Sequence, residues 1–465
     1  MVGASSQIGM IGTQDLYLTG NPQITYFKAV YRRYTNFAIE AVEQSYNGLV
    51  SEDRECNLTC ILSRSGDLVK DIWVEVDLSK SDGSSLFTGI SSNNYVNWTN
   101  NTGHAFLKKS QLYIGSDLID EHDSRWLDIW NELTDHEEKE HLGLNKHNAK
   151  NAYLKSNSGT TVPTCTLHIP LKFWFNRNPG LAIPIISLNF SDVKLVLKTR
   201  DLRALLNSNV ATNATSVGFN SSNVKIFADY IYLDAPEKQR FSSKAHEYLI
   251  EQVQFDSPLN LSTESTQTFK LNFSHPVKEL IWVFFGADRA SELTSVSTNG
   301  SNALSNKSFT AGTAQTDLGE QKNDYFNYSC GYTATSFTSV DGKTSGSNIS
   351  NSTAAEHFGT FDLKLDNSSR FPVRKATYFR TCQPIQAGHR VPKKHIYLYS
   401  FALNAEDYQP SGTCNFSKVD SVELKFTDLG TINASDANRR QLAVYAVNYN
   451  ILRIMSGMGG LAYTN

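Results

Sequence analysis

The chain resembles itself over a distance of nearly half its length, and this self-similarity restricts the possible folds more than any other feature. Three motifs recur in the same order: VKDIWV at 69–74 and VKELIWV at 277–283, NFSDV at 189–193 and NFSKV at 415–419, and HI at 168–169 and 395–396. Their offsets are 208, 226 and 227 residues, so three individually weak matches agree on nearly one spacing. We infer two copies of one fold of about 210–225 residues, which is a duplicated domain and not the short period of a solenoid or propeller.

Most other segments alternate apolar and polar residues and are rich in Val, Ile, Phe, Tyr and Thr. The clearest examples are 68–78 (LVKDIWVEVDL), 193–197 (VKLVL), 224–233 (VKIFADYIYL) and 422–426 (VELKF). A period of two with β-branched and aromatic enrichment predicts half-buried strands. The predicted fold class is therefore all-β.

One segment has the periodicity of a helix. Residues 123–133 (DSRWLDIWNEL) begin with Asp123 and Ser124, either of which can cap a helix N-terminus. One face of that helix would carry Trp126, Leu127, Trp130 and Leu133. We therefore expect small helical insertions in the β fold.

The composition fits two well-filled cores and excludes several functions. Of 465 residues 40% are hydrophobic, and 43 Lys and Arg nearly balance 46 Asp and Glu. A near-neutral chain gives no reason to expect direct nucleic-acid binding, which depends on neutralising phosphates. The N-terminus has no basic or apolar signal region, and the most apolar runs are far shorter than the ~18–20 residues that span a bilayer. We expect a soluble chain made in the cytoplasm, with no transmembrane segment.

Three short motifs resemble reactive sites but miss the required pattern. In Asp341-Gly342-Lys343-Thr344, the place of the first glycine of a phosphate-binding loop is occupied by Phe337. The segment 136–141 (HEEKEH) has Glu140 where a zinc-protease helix needs histidine. The acidic run 120–123 (DEHD) lies just before the predicted helix, where capping explains it better than cation binding.

The six cysteines are few and scattered, and we expect buried free thiols in a reducing compartment. Cys56 and Cys60 are the only close pair, and no second pair follows at zinc-finger distance. We therefore predict no catalytic residue, no cofactor and no metal ligand. Paired carboxylates of a glycosidase stay open, because they lie on different strands and leave no sequence pattern.

Polar insertions follow the same motif in both copies. Residues 79–103 and 291–360 are rich in Ser, Thr, Asn and Gly, and each follows its copy of the VKDIW or VKELIW strand. They should emerge from the same end of the two domains as hydrated surface loops. Weak candidates for glycosylation in the longer loop are Asn299, Asn306, Asn348 and Asn351.

Long motifs across the chain resemble those of a known family. Residues 15–28 (DLYLTGNPQITYFK) and 30–38 (VYRRYTNFA) are similar to the N-terminal signature of the major capsid proteins of nucleocytoplasmic large DNA viruses. Supporting similarities occur at 126–134, 173–184, 246–255, 409–417 and 446–463. The resemblance runs nearly end to end, favours the phycodnavirus- and mimivirus-like members, and fades in 291–360.

The resemblance implies a double jelly roll, with two consecutive eight-stranded antiparallel sandwiches. On this basis we expect an N-terminal arm at 1–26, a first jelly roll at 27–235, a linker at 236–245 and a second jelly roll at 246–465. The family forms homotrimers with a pseudo-hexagonal outline, which tile the icosahedral shell of the virion beside neighbouring capsomers, minor capsid proteins and penton proteins. The arm would lie at the inner face, and the loops would meet glycans or the host surface.

Two other classes stay open on the sequence alone. A carbohydrate-binding or carbohydrate-cleaving β-sandwich would need a cleft with aromatic platforms or paired carboxylates. A minor capsid or penton protein would usually carry one jelly roll, against two here. A stable trimer in solution would favour the major capsid protein.

Overall fold

The computed structural model describes residues 3–51, 54–79, 96–99, 101–134, 165–202, 205–208, 219–262, 264–286, 325–326, 328, 356–429 and 440–463. The chain divides into two units, Met1–Phe37 and Ala38–Asn465. The first unit contains two short helices, α1 (Gly3–Gly9) and α2 (Leu16–Thr19). Many of its apolar side chains are exposed, including Tyr17, Phe27 and Tyr31. This agrees with a segment that has too little apolar surface to form a core alone.

The first half of the chain forms one sandwich. Its strands in chain order are β1 (Phe37–Gln44), β2 (Tyr46–Asn47), β3 (Cys56–Ile61), β4 (Leu68–Asp77), β5 (Val96–Trp98), β6 (Leu107–Ile114), β7 (Asp117–Asp123), β8 (Thr166–Pro170), β9 (Val193–Thr199), β10 (Leu206–Ser208) and β11 (Val224–Leu233). One sheet has the spatial order β1-β11-β4-β8 and the facing sheet has the order β2-β3-β9-β6-β7. Strands β5 and β10 form a separate two-stranded ribbon.

The second half forms another sandwich. Its strands are β12 (His246–Phe255), β13 (Leu259–Asn260), β14 (Gln267–Leu271), β15 (Pro276–Gly286), β16 (Thr360–Leu365), β17 (Ser368–Ser369), β18 (Arg374–Lys375), β19 (Ile396–Ser400), β20 (Cys414–Asn415), β21 (Val422–Thr427), β22 (Arg440–Met455) and β23 (Met458–Leu461). One sheet follows β12-β22-β15-β19, and the other follows β14-β21-β16-β17.

The two sandwiches have the same topology. The order β1-β11-β4-β8 matches β12-β22-β15-β19 strand for strand, and β3-β9-β6-β7 matches β14-β21-β16-β17. In each copy, the first, eighth, third and sixth strands form one sheet, and the second, seventh, fourth and fifth form the other. This is the jelly-roll arrangement, so the predicted all-β double jelly roll is confirmed. The four strands predicted from alternation are β4, β9, β11 and β21.

Both copies carry a β-bulge at the same motif lysine. Asp229 lies opposite Asp71 and Tyr230 lies opposite Val69, so Lys70 is the extra residue of β4. In β15, Lys278 is extra in the same way. Counted from the bulges, Trp73 corresponds to Ile281 and not to Trp282. The two tryptophans therefore lie on equivalent strands, but their positions differ by one residue. Their side chains consequently lie on opposite faces of the equivalent sheets.

The helices are short and lie mostly in the connections. In the second unit they are α3 (Thr102–Phe106), α4 (Ser124–Thr134), α5 (Trp174–Arg177), α6 (Ala235–Ser243) and α7 (Gln383–Gln386). Single turns of 3₁₀ helix occupy Pro179–Leu181, Ile185–Ser187, Ser221–Asn223 and Phe416–Lys418, and a π turn occupies Tyr378–Cys382. Helix α4 confirms the predicted helix within one residue at each end.

Residues 236–245, expected to be a linker, are largely helical. Asp234 accepts a hydrogen bond from the N–H of Ala235 at 2.8 Å, and a proline occupies the first turn of α6. Both features favour helix initiation. Phe241 packs beside a small buried cluster of the first sandwich, formed by Leu68, Ala182 and Ile231. The connection is thus an ordered helix, held to the first sandwich by Phe241 and by two polar contacts. Lys238 pairs with Asp67 at 2.8 Å, and the Ser187 hydroxyl donates to the carbonyl of Phe241 at 2.8 Å.

The described parts of the two polar loops include residues that are more buried than expected. In 79–103, Trp98, Thr99 and Thr102 are buried. In 291–360, the aromatic residues Tyr325, Phe326 and Tyr328 belong to the core. For these residues the prediction of a hydrated surface loop is wrong. Trp98, Tyr325, Phe326 and Tyr328 are large aromatic side chains within mainly polar segments, and the buried hydroxyl of Thr102 donates to the carbonyl of Thr99 at 2.8 Å. The rest of both loops lies almost entirely outside the described residues.

Candidate functional site: the junction between the two sandwiches

Helix α4 of the first sandwich packs on the outer face of the second sandwich's larger sheet. The ring of Trp126 lies 5.5 Å from that of Tyr445 on β22 and 5.3 Å from that of Trp130. The side chains of Ile281 and Val283 on β15 belong to the same buried cluster. Because β15 is thus buried on both faces, its sequence is a continuous apolar run and does not alternate.

The core of the first sandwich is continuous with this junction. One cluster of buried residues joins the first interior to the outer face of the second sheet. A second cluster fills the space between the sheets of the second sandwich and contains Trp282, Phe361 and Phe426. Side chains of the two sandwiches are in direct contact at α4, so the sandwiches pack as one body.

Polar groups at both ends of α4 connect it to the second sandwich. Asp123 accepts a hydrogen bond from the N–H of Trp126 at 2.7 Å, which caps the helix, and another from the Tyr445 hydroxyl at 2.9 Å. The amide N–H of Arg390 donates to the carbonyl of Leu133 at 3.0 Å. These bonds satisfy backbone groups at the ends of α4 that would otherwise be buried without partners.

A buried ionic group lies beside α4. Glu251 on β12 accepts from Lys278 at 2.6 Å and from Arg177 of the first sandwich. Lys278 also donates to the carbonyl of Ala405 at 2.6 Å, and its side chain is almost fully buried. The guanidinium of Arg177 lies 4.0 Å from the centre of the Trp130 ring. The lysine at the bulge therefore points into the junction, where one carboxylate holds cations from both sandwiches.

His389 forms a second buried ionic group with two carboxylates. Its Nε2 is 2.8 Å from Glu279 and its Nδ1 is 2.8 Å from Glu406, so both nitrogens donate and the ring is charged. Burial opposes that charge, but the two carboxylates outweigh it and raise the pKa of His389 to about 9. Burial would likewise raise the pKa of Glu279, but the imidazolium of His389 lowers it below its usual range.

Strand β7 covers the edge of the second sheet. The N–H of Val253 on β12 donates to Asp120 at 3.1 Å, and the Gln252 amide donates to the carbonyl of Ile119. A cleft of about 420 Å³ opens beside this contact, lined by parts of β7, β12 and the C-terminal segment. An edge strand with free backbone groups would invite association with other chains, and here the first sandwich occupies that position.

The turn between β22 and β23 also contacts the first sandwich. The N–H of Phe190 donates to the carbonyl of Gly457 at 2.8 Å, and Gly457 has a φ of +81°. A Cβ on Gly457 would lie 2.6 Å from a ring carbon of Phe190. Both the backbone angle and the close approach therefore require glycine.

The structure explains the acidic run 120–123 without a cation. Asp123 caps α4, as predicted, and a carboxylate oxygen of Asp120 lies 3.0 Å from Nε2 of His122. The ring of His122 stacks on Phe173 with 4.6 Å between centres. All three side chains are thus used in packing and hydrogen bonding.

The cysteine prediction is correct for three described positions and wrong for two. Cys56, Cys60 and Cys165 are free and buried, and burial raises the pKa of the Cys60 thiol to about 11. Cys382, however, is exposed and Cys414 is half-buried. The sites considered and rejected at 136–141 and 341–344, and the candidates Asn299, Asn306, Asn348 and Asn351, lie outside the described residues.

Sequence reasoning missed the ionic groups of the junction. Lys278, Glu279 and His389 have the residue types of a solvated surface, and their partners lie far away in sequence. The only local signal is the pair Lys278-Glu279 directly before an uninterrupted apolar run. That signal indicates a strand buried on both faces, in which any charge must be paired.

Among the described residues, none of the helices is long and apolar enough to cross a membrane. Two jelly rolls in tandem, joined by a buried aromatic and ionic junction, define the class of double jelly-roll proteins. Comparisons with known proteins identify the family within this class. A model described as the major capsid protein N-terminus matches residues 25–234, and one described as the large eukaryotic DNA virus major capsid protein matches residues 237–460.

Relatives match over their full length. The major capsid protein of Phaeocystis pouchetii virus is 35% identical, and that of Paramecium bursaria Chlorella virus 1 is 34% identical, with all of both chains covered in each case. A quasi-atomic structure of the PBCV-1 virus capsid superposes with a TM-score of 0.66 at 30% identity, covering 95% of this chain and 100% of that one. The Faustovirus major capsid protein shares the fold, with a TM-score of 0.63.

The chain belongs to the major capsid protein family of large eukaryotic DNA viruses. It is a structural component of the virion capsid and not an enzyme. Membership in this family decides against a carbohydrate-active sandwich and against a minor capsid or penton protein.

Proposed function

We propose that three copies of this chain form a pseudo-hexagonal capsomer, and that these capsomers tile the icosahedral shell. The junction at α4 is the observation that supports it most directly. Because the two sandwiches share one topology and pack as one body, three chains supply six similar units at fixed spacing. A three-fold object can then occupy a position with six neighbours.

The domain division forms part of this proposal. It comprises an arm at 1–26, a first jelly roll at 27–235, a connection at 236–245 and a second jelly roll at 246–465. The exposed apolar side chains of the arm, among them Tyr17 and Tyr26, support a role in contacts with other molecules. The partners proposed for the arm at the inner face are neighbouring trimers, minor capsid proteins or the membrane-proximal layer. Penton proteins are proposed as further neighbours of the capsomers in the shell.

Apart from the buried residues named under the fold, the polar loops 79–103 and 291–360 are proposed to face outward, towards the host surface or attached glycans. They follow the equivalent strands β4 and β15, which supports their emergence at one end of the molecule. Asn299, Asn306, Asn348 and Asn351 stay candidate glycosylation sites. Limited proteolysis of intact particles tests this orientation. Cleavage should concentrate in 291–360 and spare the arm, whereas early cleavage of the arm with a resistant loop would invert the proposed orientation.

Native mass spectrometry of the purified full chain tests the capsomer. The expected mass is about three times the 51.8 kDa of one chain, because permanent assemblies bury interfaces of several thousand Å². A mass of one chain at micromolar concentration would contradict the proposal.

A further inference from the structure

The junction inside the chain pairs two different surfaces. The first sandwich contributes β7 and the helix that follows it, and the second contributes the outer face of β12-β22-β15-β19. Because the sandwiches are copies, each of these two surfaces has an equivalent on the other sandwich. The equivalent of the sheet face is the outer face of β1-β11-β4-β8 in the first sandwich. The equivalent of α4 is the segment 370–386 of the second sandwich, which contains β18 and α7 and follows β17, the equivalent of β7.

The outer face of the first sandwich is acidic and partly apolar. Trp73 and Phe227 lie opposite each other on β4 and β11, and both are half-buried. Asp71 and Asp229 are opposite each other in the same row. Facing carboxylates destabilise a sheet, and burial followed by the charge of Asp71 raises the pKa of Asp229. On the neighbouring edge strand β1, Ile39 is 51% exposed.

The segment 370–386 has the opposite character. Between residues 370 and 386 the sequence contains four Lys and Arg and no Asp or Glu, and one of the four, Arg380, pairs with Glu356. Arg370, Arg374 and Lys375 are exposed. Two apolar side chains lie among them, Val373 with 58% and Ile385 with 65% of their surface exposed. The described part of this segment therefore presents a basic surface with apolar contacts, which complements the acidic face of the first sandwich.

We propose that the basic surface 370–386 of one copy docks on the outer face of β1-β11-β4 of a second copy, repeating between chains the junction seen within the chain. This inference rests on the proposed trimer and names the surfaces that hold it together. Such a contact is head-to-tail, so it forms a closed ring when its rotation allows. Lys70 already pairs with Asp71 at 2.9 Å, so Arg374 and Lys375 would add positive charge beside Asp229. Val373 and Ile385 would cover Trp73 and Phe227.

Charge-reversal variants of the two surfaces test the proposal. One variant reverses the face (D71K/D229K), a second reverses the basic surface (R374E/K375E), and a third combines all four changes. Each of the first two variants should raise the concentration at which trimers dissociate by at least about tenfold, because like charges would then meet. The combined variant should recover trimers, because every contact again joins opposite charges.

The controls separate this proposal from the trimer itself. D256K/K418E reverses two exposed charges outside both surfaces and should leave the mass unchanged. Melting temperatures check folding, and R374E/K375E changes only exposed side chains. Two results would contradict the docking surface while leaving the trimer in place, provided that the wild-type chain forms trimers. One is that R374E/K375E leaves the trimers intact, and the other is that the combined variant fails to recover them. A monomeric wild-type chain would overturn both.

Discussion

Lys394 of the second sandwich and Asp128 of the first form an ion pair with N–O distances of 2.8 and 2.7 Å to the two carboxylate oxygens. The carboxylate is almost fully buried, and Asn101 donates a further hydrogen bond to it at 2.8 Å. The pair joins the middle of α4 to the segment before β19. The junction is therefore held by an interior charge pair as well as by aromatic packing.

Replacing Lys394 with Met should destabilise the chain by about 3–5 kcal/mol, because it leaves Asp128 buried without a cation. The free energy of unfolding from a denaturant titration measures this effect. The double variant D128N/K394M should recover much of the loss, since no charge then lacks a partner. An equal loss in both variants would show that the pair acts through packing alone.

The duplicated bulge offers a matched comparison. K278M should cost about 2–3 kcal/mol, because it removes the charged hydrogen bonds from Lys278 to Glu251 and to the carbonyl of Ala405, while Arg177 still pairs with Glu251. K70M removes the equivalent lysine of the first sandwich, which is half-exposed beside Asp71, and should cost less than about 1 kcal/mol. Denaturant titrations of both variants measure the difference. Similar losses would mean that the second bulge has no special role in the junction.

Packing of α4 predicts a large effect of a single truncation. L127A removes a fully buried side chain and should lower the free energy of unfolding by about 2–5 kcal/mol. L403A makes the same change where 81% of the side chain is exposed, and should stay within about 0.5 kcal/mol of the wild type. Thermal and chemical unfolding curves provide the measurement. A small effect of L127A would contradict a tightly packed junction.

The raised pKa of His389 predicts how the free energy of unfolding depends on pH. Its pKa is raised to about 9 in the folded chain, so its contribution is complete below about pH 6.5 and is lost as the pH rises through 9. H389Q should cost about 3–5 kcal/mol at pH 6, because Glu279 is then uncompensated. The difference from the wild type should shrink above pH 9.

The matched control for this pH dependence is H168Q, at a half-exposed histidine that pairs with Glu75 at 3.4 Å. It should change stability by less than about 1 kcal/mol. Denaturant titrations from pH 6 to pH 10 compare both variants with the wild type. A constant H389Q difference across this range would show that the histidine does not act through its charge.

Local patterns were sufficient to predict four of the strands (β4, β9, β11 and β21), α4 and the duplicated all-β class. They were insufficient for side-chain burial, because burial depends on what packs against each copy. Phe190 and Phe416 occupy the same position of the repeated NFS motif, yet 81% of Phe190 is exposed against 3% of Phe416. Trp73 and Trp282 looked equivalent, but the bulge count places them on opposite faces.

The junction itself could not be predicted, because its partners are distant in sequence. Nothing near Glu251 indicates Arg177 or Lys278, and nothing near Asp128 indicates Lys394. The aromatic residues Tyr325, Phe326 and Tyr328 were hidden in the same way by the polar composition around them. Tertiary packing, and not local propensity, determines which of these side chains are buried.

Electron microscopy of the purified full chain tests the central claim most directly. Two-dimensional averages should show six lobes of similar size in a ring with three-fold symmetry, because each chain contributes two sandwiches held at a fixed junction. Particles with two lobes, or rings with another number of lobes, would contradict a trimeric capsomer built from rigid pairs of jelly rolls.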